Sequence, residues 1–228
     1  MDALIFDFDG VIVDSEPVHL ATFQEVLRTE GINLSRDDYY EKYLGFDDYD
    51  CFKAVAADYD MTFNDAKIRE LTQTKTQLVL KQFQTSVRAL PGAVDLIRRA
   101  AENGVPMAIC SGSLREEIQL ASETIGVRDC FQVIVAAEDV HKGKPDPEGY
   151  RLALRQLAQF ATDAPKPSNT VVIEDSPAGI ESASILGIKV LAVSTSYPVS
   201  ELSGANRIVT SLADVTPEEL DKMVSQTF

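Results

Sequence analysis

Short apolar runs rich in β-branched residues recur along the chain at 3–6, 105–110, 132–136, 170–173 and 188–193, with a weaker one at 207–210. The first, Ala3-Leu4-Ile5-Phe6, has no polar interruption. Runs of this kind read as strands buried on both faces of a parallel sheet. Helical periodicity fills the intervals at 93–102, 114–125, 147–159 and 178–186. Gly104, Gly126 and Gly187 fall where helices are expected to stop. Alternating strands and helices predict an α/β fold with a doubly wound parallel sheet.

One section breaks the alternation. Residues 16–85 carry helical patterns and no convincing strand. Leu20, Phe23, Val26 and Leu27 share one helical face, and Ile68, Leu71, Leu78, Val79 and Phe83 suggest another. The length suits four antiparallel helices. The pattern predicts a core made of 1–15 and 86–228, with a helical cap at 16–85 inserted after the first strand as a lid over the strand end.

Composition narrows the partners. The chain has 228 residues and a formal charge of −15, from 21 basic and 36 acidic residues. That balance argues against nucleic acid and anionic membranes. The apolar runs are too short to span a bilayer. Met1-Asp2-Ala3 leads directly into the first strand, which predicts no leader, and the three cysteines, Cys51, Cys110 and Cys130, lack metal-type spacing. Cys110 reads as a small core residue, His141 as a solvent-facing loop residue, and a reducing, cytoplasmic location is expected.

The candidate chemistry lies at the strand ends, where ligands bind in open α/β sheets. After the first strand come Asp7-Phe8-Asp9-Gly10-Val11. Two carboxylates this close repel one another unless a cation lies between them or one is protonated. The pair suits Mg2+, or a division of labour between nucleophile and acid/base. Gly10 permits a sharp turn and leaves room beside the site. After 105–110 comes Ser111-Gly112-Ser113, a candidate phosphate seat at a helix N-terminus, in which Ser113 by itself reads as an ordinary N-cap. After 132–136 the segment Gly143-Lys144-Pro145-Asp146-Pro147 presents Lys144 in a defined turn. After 170–173 stands Glu174-Asp175-Ser176-Pro177-Ala178-Gly179, in which Ser176 and Pro177 also suit a helix start. Asp175 is placed to complete a Mg2+ shell begun by Asp7, with Glu174 either a direct ligand or one step removed. Together these ends describe a site for a phosphate and a divalent metal.

These four motifs, in this order, resemble the haloacid dehalogenase superfamily, in the subgroup typified by β-phosphoglucomutase and phosphoglycolate phosphatase. The likeness covers nearly the whole chain, including the linking segment Asp14-Ser15-Glu16-Pro17. It implies a Rossmann-like core with an inserted α-helical cap. Asp7 then corresponds to the nucleophile that becomes an aspartyl-phosphate, and Asp9 to the general acid and base. The backbone carbonyl of Asp9 and the side chains of Asp7 and Asp175 would bind Mg2+. Ser111, Lys144 and the Gly112 backbone would hold the phosphoryl oxygens. True haloacid dehalogenases lack the second acid of the first motif, so Asp9 argues against dehalogenation.

The expected activity is hydrolysis of a small phosphorylated metabolite, a sugar phosphate or a compound of the phosphoglycolate type, by a monomer or homodimer. A phosphosugar mutase is the alternative, and a non-catalytic binding module of the same fold is disfavoured by the complete set of acids. His19 matches a histidine of the β-phosphoglucomutase pattern. Gly45 and Lys75 are further candidates for substrate contact. The mutase pattern places an arginine shortly after the glycine matched by Gly45, where this chain has Phe46-Asp47-Asp48-Tyr49-Asp50. Acids there would repel a second phosphate.

Overall fold

The computed structural model describes residues 1–161 and 163–225. Among these, six parallel strands form one sheet: β1 Ala3–Phe6, β2 Met107–Cys110, β3 Val133–Val135, β4 Thr170–Glu174, β5 Lys189–Val193 and β6 Arg207–Val209. Every residue of β1, β2, β3 and β4 is buried, as apolar runs without alternation require. The strand order is β3-β2-β1-β4-β5-β6, so the winding direction reverses between β1 and β4. Leu4 stands opposite Met107 on one side and Val171 on the other.

The helices are α1 Glu16–Thr29, α2 Arg36–Asp38, α3 Asp48–Asp58, α4 Asp65–Phe83, α5 Ala93–Glu102, α6 Arg115–Thr124, α7 Glu148–Leu157, α8 Pro177–Ile185 and α9 Pro217–Ser225. None of the described helices is long and apolar enough to cross a membrane. The glycines expected to stop helices do so with positive φ, +70° at Gly104, +70° at Gly126 and +74° at Gly187. The sequence pattern starts the second strand at 105, but β2 begins at Met107. Pro106 has no N–H for the ladder, although its carbonyl still accepts from Leu4 N at 3.0 Å.

The chain forms two compact units, Met1–Asp14 with the chain from Val87 onward, and Ser15–Ser86. In the first, the outgoing and returning chains pair: Val13 bridges Ala89 in antiparallel fashion, and Asp14 N donates to Arg88 O at 2.9 Å. In the second, helices replace strands throughout, but not as four comparable rods. α2 has 3 residues and runs directly into a π-helical turn at Tyr39–Tyr43. Two of its three tyrosines are buried and keep polar partners, Tyr39 OH donating to Glu16 at 2.9 Å and Tyr43 OH to Asp58 at 2.6 Å. The core of this unit gathers Phe23, Leu27, Phe52, Val55, Ile68 and Leu71.

Candidate active site

The turn after β1 is built to crowd polar groups together. Ile12 N donates to Phe8 O at 2.8 Å and Gly10 N to Val13 O at 2.9 Å, while Gly10 takes φ +72°. A Cβ on Gly10 would overlap Asp175 Oδ2 and stand 2.6 Å from Ser196 Oγ, so only glycine allows the approach. Because β1 ends at Phe6, this turn places Asp9. Asp7 and Asp9 accordingly address different partners.

Asp7 lies at the switch point between β1 and β4, with its N–H donating to Ile173 O at 2.9 Å. Its Oδ1 accepts from Lys144 Nζ at 2.5 Å, and the same ammonium donates to Glu174 Oε1 at 2.6 Å. Burial pushes the Asp7 carboxyl up to about 7; Lys144 opposes this rise, while Glu174 and Asp9 add to it. Burial also works against the Lys144 ammonium, but its two carboxylate neighbours hold its pKa well above the usual lysine value.

Glu174 is fully buried, and protein donors engage both its oxygens. Oε1 takes Lys144 and the Tyr150 hydroxyl, the latter at 2.8 Å. Oε2 takes Asp175 N, Ser176 N and Ser176 Oγ, each at 2.9 Å. Burial opposes ionisation, yet Lys144 and these hydrogen bonds carry the net shift downward, so Glu174 stays charged. Ser176 caps α8 by accepting Gly179 N at 3.1 Å, with Pro177 in the first turn.

Asp175 is 5% exposed, and its second oxygen accepts from Ser196 Oγ. Burial, then Asp7 and Glu174, raise its pKa well above the usual carboxylate range. Asp7, Glu174 and Asp175 each offer an oxygen, and these lie within 4.8 Å of one another. Buried carboxylate oxygens gathered this closely suit a hard cation. The donor set therefore fits Mg2+, with Asp7 and Asp175 better placed to release an oxygen to it than Glu174.

The loop that carries Lys144 is pinned. Asp146 N donates to Gly143 O at 3.0 Å, and Ser182 Oγ donates to Asp146 O at 2.9 Å. Glu148 accepts from His141 N and Lys142 N at 3.2 and 3.1 Å. Lys144 Nζ also lies 5.1 Å from the Tyr150 ring centroid. His141 is exposed and Cys110 buried, as expected.

Ser111 follows β2, and its Oγ accepts Ser113 N at 2.9 Å. Ser113 is not an N-cap. α6 starts at Arg115 behind Leu114, and the Ser113 hydroxyl instead donates to Asp9 Oδ2. Ser111 Oγ approaches the same oxygen at 3.4 Å. Gly112 is exposed, with open space where a Cβ would stand.

His19, Gly45 and Lys75 belong to the helical unit. Lys75 is fully buried on the apolar face of α4, donating to Asp48 Oδ1 at 2.5 Å and lying 3.0 Å from His19 Nδ1. Lysine only donates, so a hydrogen bond here has Nδ1 as the acceptor. The ammonium also stands 4.4 Å from the Phe23 ring centroid. Gly45 adopts φ +84° just before α3. Tyr150 and Ser196 were not legible as site residues, and Ser113, although part of the serine motif, read by itself only as an N-cap. Tyr150 looks like one more apolar position of α7, and no acid or base marks the end of β5.

The haloacid dehalogenase-like hydrolase family model matches residues 4–193. Validoxylamine A 7'-phosphate phosphatase of Streptomyces hygroscopicus subsp. limoneus is 26% identical over 211 residues, 92% of this chain and 94% of that protein. Protein CbbY of Rhodobacter capsulatus is 30% identical over 203 residues, 86% of this chain and 87% of its own. The crystal structure of CbbY from Rhodobacter sphaeroides in complex with phosphate superimposes with a TM-score of 0.86 at 25% identity, covering 97% of this chain and 99% of that one. The chain belongs to the haloacid dehalogenase-like hydrolases.

Proposed function

We propose that this hydrolase is a Mg2+-dependent phosphatase that cleaves a small phosphorylated metabolite through an aspartyl-phosphate on Asp7. The observation that carries the reading is Lys144, whose ammonium bonds Asp7 and Glu174 together at the switch point of the sheet. The reading is supported by the phosphatase named among the relatives and by the CbbY structure holding phosphate.

Asp7, Asp175 and the Asp9 carbonyl would hold Mg2+, which supplies positive charge for the phosphoryl oxygens when bound. Asp7 attacks phosphorus as the bond to the leaving oxygen breaks. Asp9, steadied by the Ser113 hydroxyl, gives that oxygen its proton. Asp9 then accepts a proton from the water that attacks the phosphorus of the mixed anhydride, releasing phosphate and restoring Asp7. Lys144 and Ser111 bind phosphoryl oxygens, and Glu174 keeps Lys144 extended toward Asp7.

A mutase would need a spare cation for a second phosphate. Lys75 is already committed to Asp48, which favours hydrolysis. The test is phosphate release by the purified protein with Mg2+ over a broad panel of phosphorylated metabolites. Release from at least one monophosphate, lost in Asp7→Asn, is the expected result. Interconversion of sugar phosphates much faster than release would favour the mutase.

A further inference from the structure

The loop after β5 clasps the turn after β1. The Thr195 hydroxyl donates to the Gly10 carbonyl, and the Ser196 hydroxyl to Asp175 Oδ2. The loop itself is anchored to the sheet, with Ser194 N donating to Val209 O at 2.9 Å and Thr195 N to Val193 O at 3.0 Å. Oδ2 is thus wedged between the Gly10 backbone, where a Cβ would overlap it, and a fixed donor. One oxygen of Asp175 is committed, and the other is left for a cation.

We propose that Ser196 positions Asp175 as a one-oxygen ligand and thereby biases the site toward Mg2+ over Ca2+. The proposal rests on the reading of Asp7 and Asp175 as a divalent-metal site. The physical basis is coordination number. Mg2+ takes six ligands near 2 Å in an octahedron, whereas Ca2+ takes six to eight and accepts both oxygens of one carboxylate. A hydroxyl that occupies Oδ2 leaves Asp175 able to satisfy the first demand and poorly able to meet the second. It also fixes the carboxylate's rotation, as partners of metal ligands commonly do. Ser196 acts through Asp175, so it is a positioning residue.

The experiment is calorimetric titration of the metal-free enzyme with Mg2+ or Ca2+ and no substrate. Wild type should bind Mg2+ in preference. Ser196→Ala should lose about tenfold in Mg2+ affinity, in the range typical for partners of metal ligands. Its Ca2+ affinity should hold or rise, so the preference shifts toward Ca2+. Ser196→Thr keeps the hydroxyl and should keep the wild-type preference. Thr195→Ala perturbs the same loop without releasing Oδ2 and should also keep it. Should the alanine variant fail to fold, Ser196→Cys, a near-isosteric weak donor, should show the same direction of change. An unchanged preference in the folded alanine or cysteine variant, or equal loss of both ions, would overturn the role of Ser196 while leaving the metal site standing. Failure of wild type to bind either ion would overturn both.

Discussion

The carboxylate of Glu174 occupies the space that a side chain on Gly179 would fill: a Cβ there would overlap both Glu174 oxygens. The first turn of α8 can therefore close against the acid that holds Lys144. Gly179→Ala must push Glu174 away or open the helix. We expect a loss of about 1–3 kcal/mol, the scale set by overpacking. Activity should fall further than stability, because Lys144 loses its anchor. Denaturant unfolding together with kcat checks both, and a variant with wild-type activity would show that Glu174 need not sit here.

Lys144→Ala removes the cation between Asp7 and Glu174, whose side chains are 11% and 0% exposed. Leaving buried carboxylates unpaired is strongly unfavourable. The rate should fall at least about a hundredfold, comparable to losing a donor to a developing oxyanion. Lys144→Arg should not restore it, since the planar guanidinium does not reproduce a compact ammonium. A near-normal rate in the alanine variant would return Lys144 to an ordinary loop lysine.

Metal binding should depend on pH in a fixed direction. Burial raises the Asp7 carboxyl from 3.8 to about 7, so between those values the folded protein keeps a proton that the unfolded chain has released. Asp7 therefore contributes stability that is fully present below 3.8 and is lost as pH rises through about 7. Asp175 is shifted the same way. Glu174 has the opposite sign, since its lowered pKa contributes stability above 4.5 that is lost as pH falls through the lowered value. A cation competes with the proton on Asp7, so Mg2+ affinity should tighten through about pH 7 with release of protons. Titrations in buffers of different ionisation enthalpy measure this, and pH-independent affinity would contradict it.

The Asp48–Lys75 pair gives a separate test within the helical unit. Asp48→Asn leaves a fully buried ammonium without its counter-charge and should destabilise by about 1–3 kcal/mol, because Asp48 itself is 24% exposed. Lys75→Met removes the charge and keeps the packing, so its stability should change far less. Equal losses in the two variants would mean that shape, not charge, holds the pair.

Much of this was legible because the signals were local. The buried run Ala3-Leu4-Ile5-Phe6 has no polar residue to place in solvent, and it forms the strand. Gly104, Gly126 and Gly187 are glycines for their φ values alone, since a Cβ at Gly104 or Gly187 would meet nothing and one at Gly126 only the tip of Arg98. Helix α9 carries an equally local start signal. Thr216 and Glu219 form a reciprocal capping box, each backbone N–H meeting the other side chain at 3.3 Å. Other features required the fold itself. Ser196 and Asp175 are far apart in sequence and meet only because β4 and β5 are neighbours. The short α2 and its π turn arise from burying Tyr39 and Tyr43, which periodicity cannot separate from an ordinary helix face.

The central claim is that Asp7 attacks phosphorus, and Asp7→Asn tests it most directly. The amide keeps the size of the carboxylate and removes its nucleophilic charge. The measurement is steady-state phosphate release with saturating Mg2+, on a variant whose circular dichroism and unfolding midpoint show a native fold. The account predicts release below about a hundredth of the wild-type rate, in line with loss of a catalytic nucleophile. A folded variant that retains more than this would contradict it.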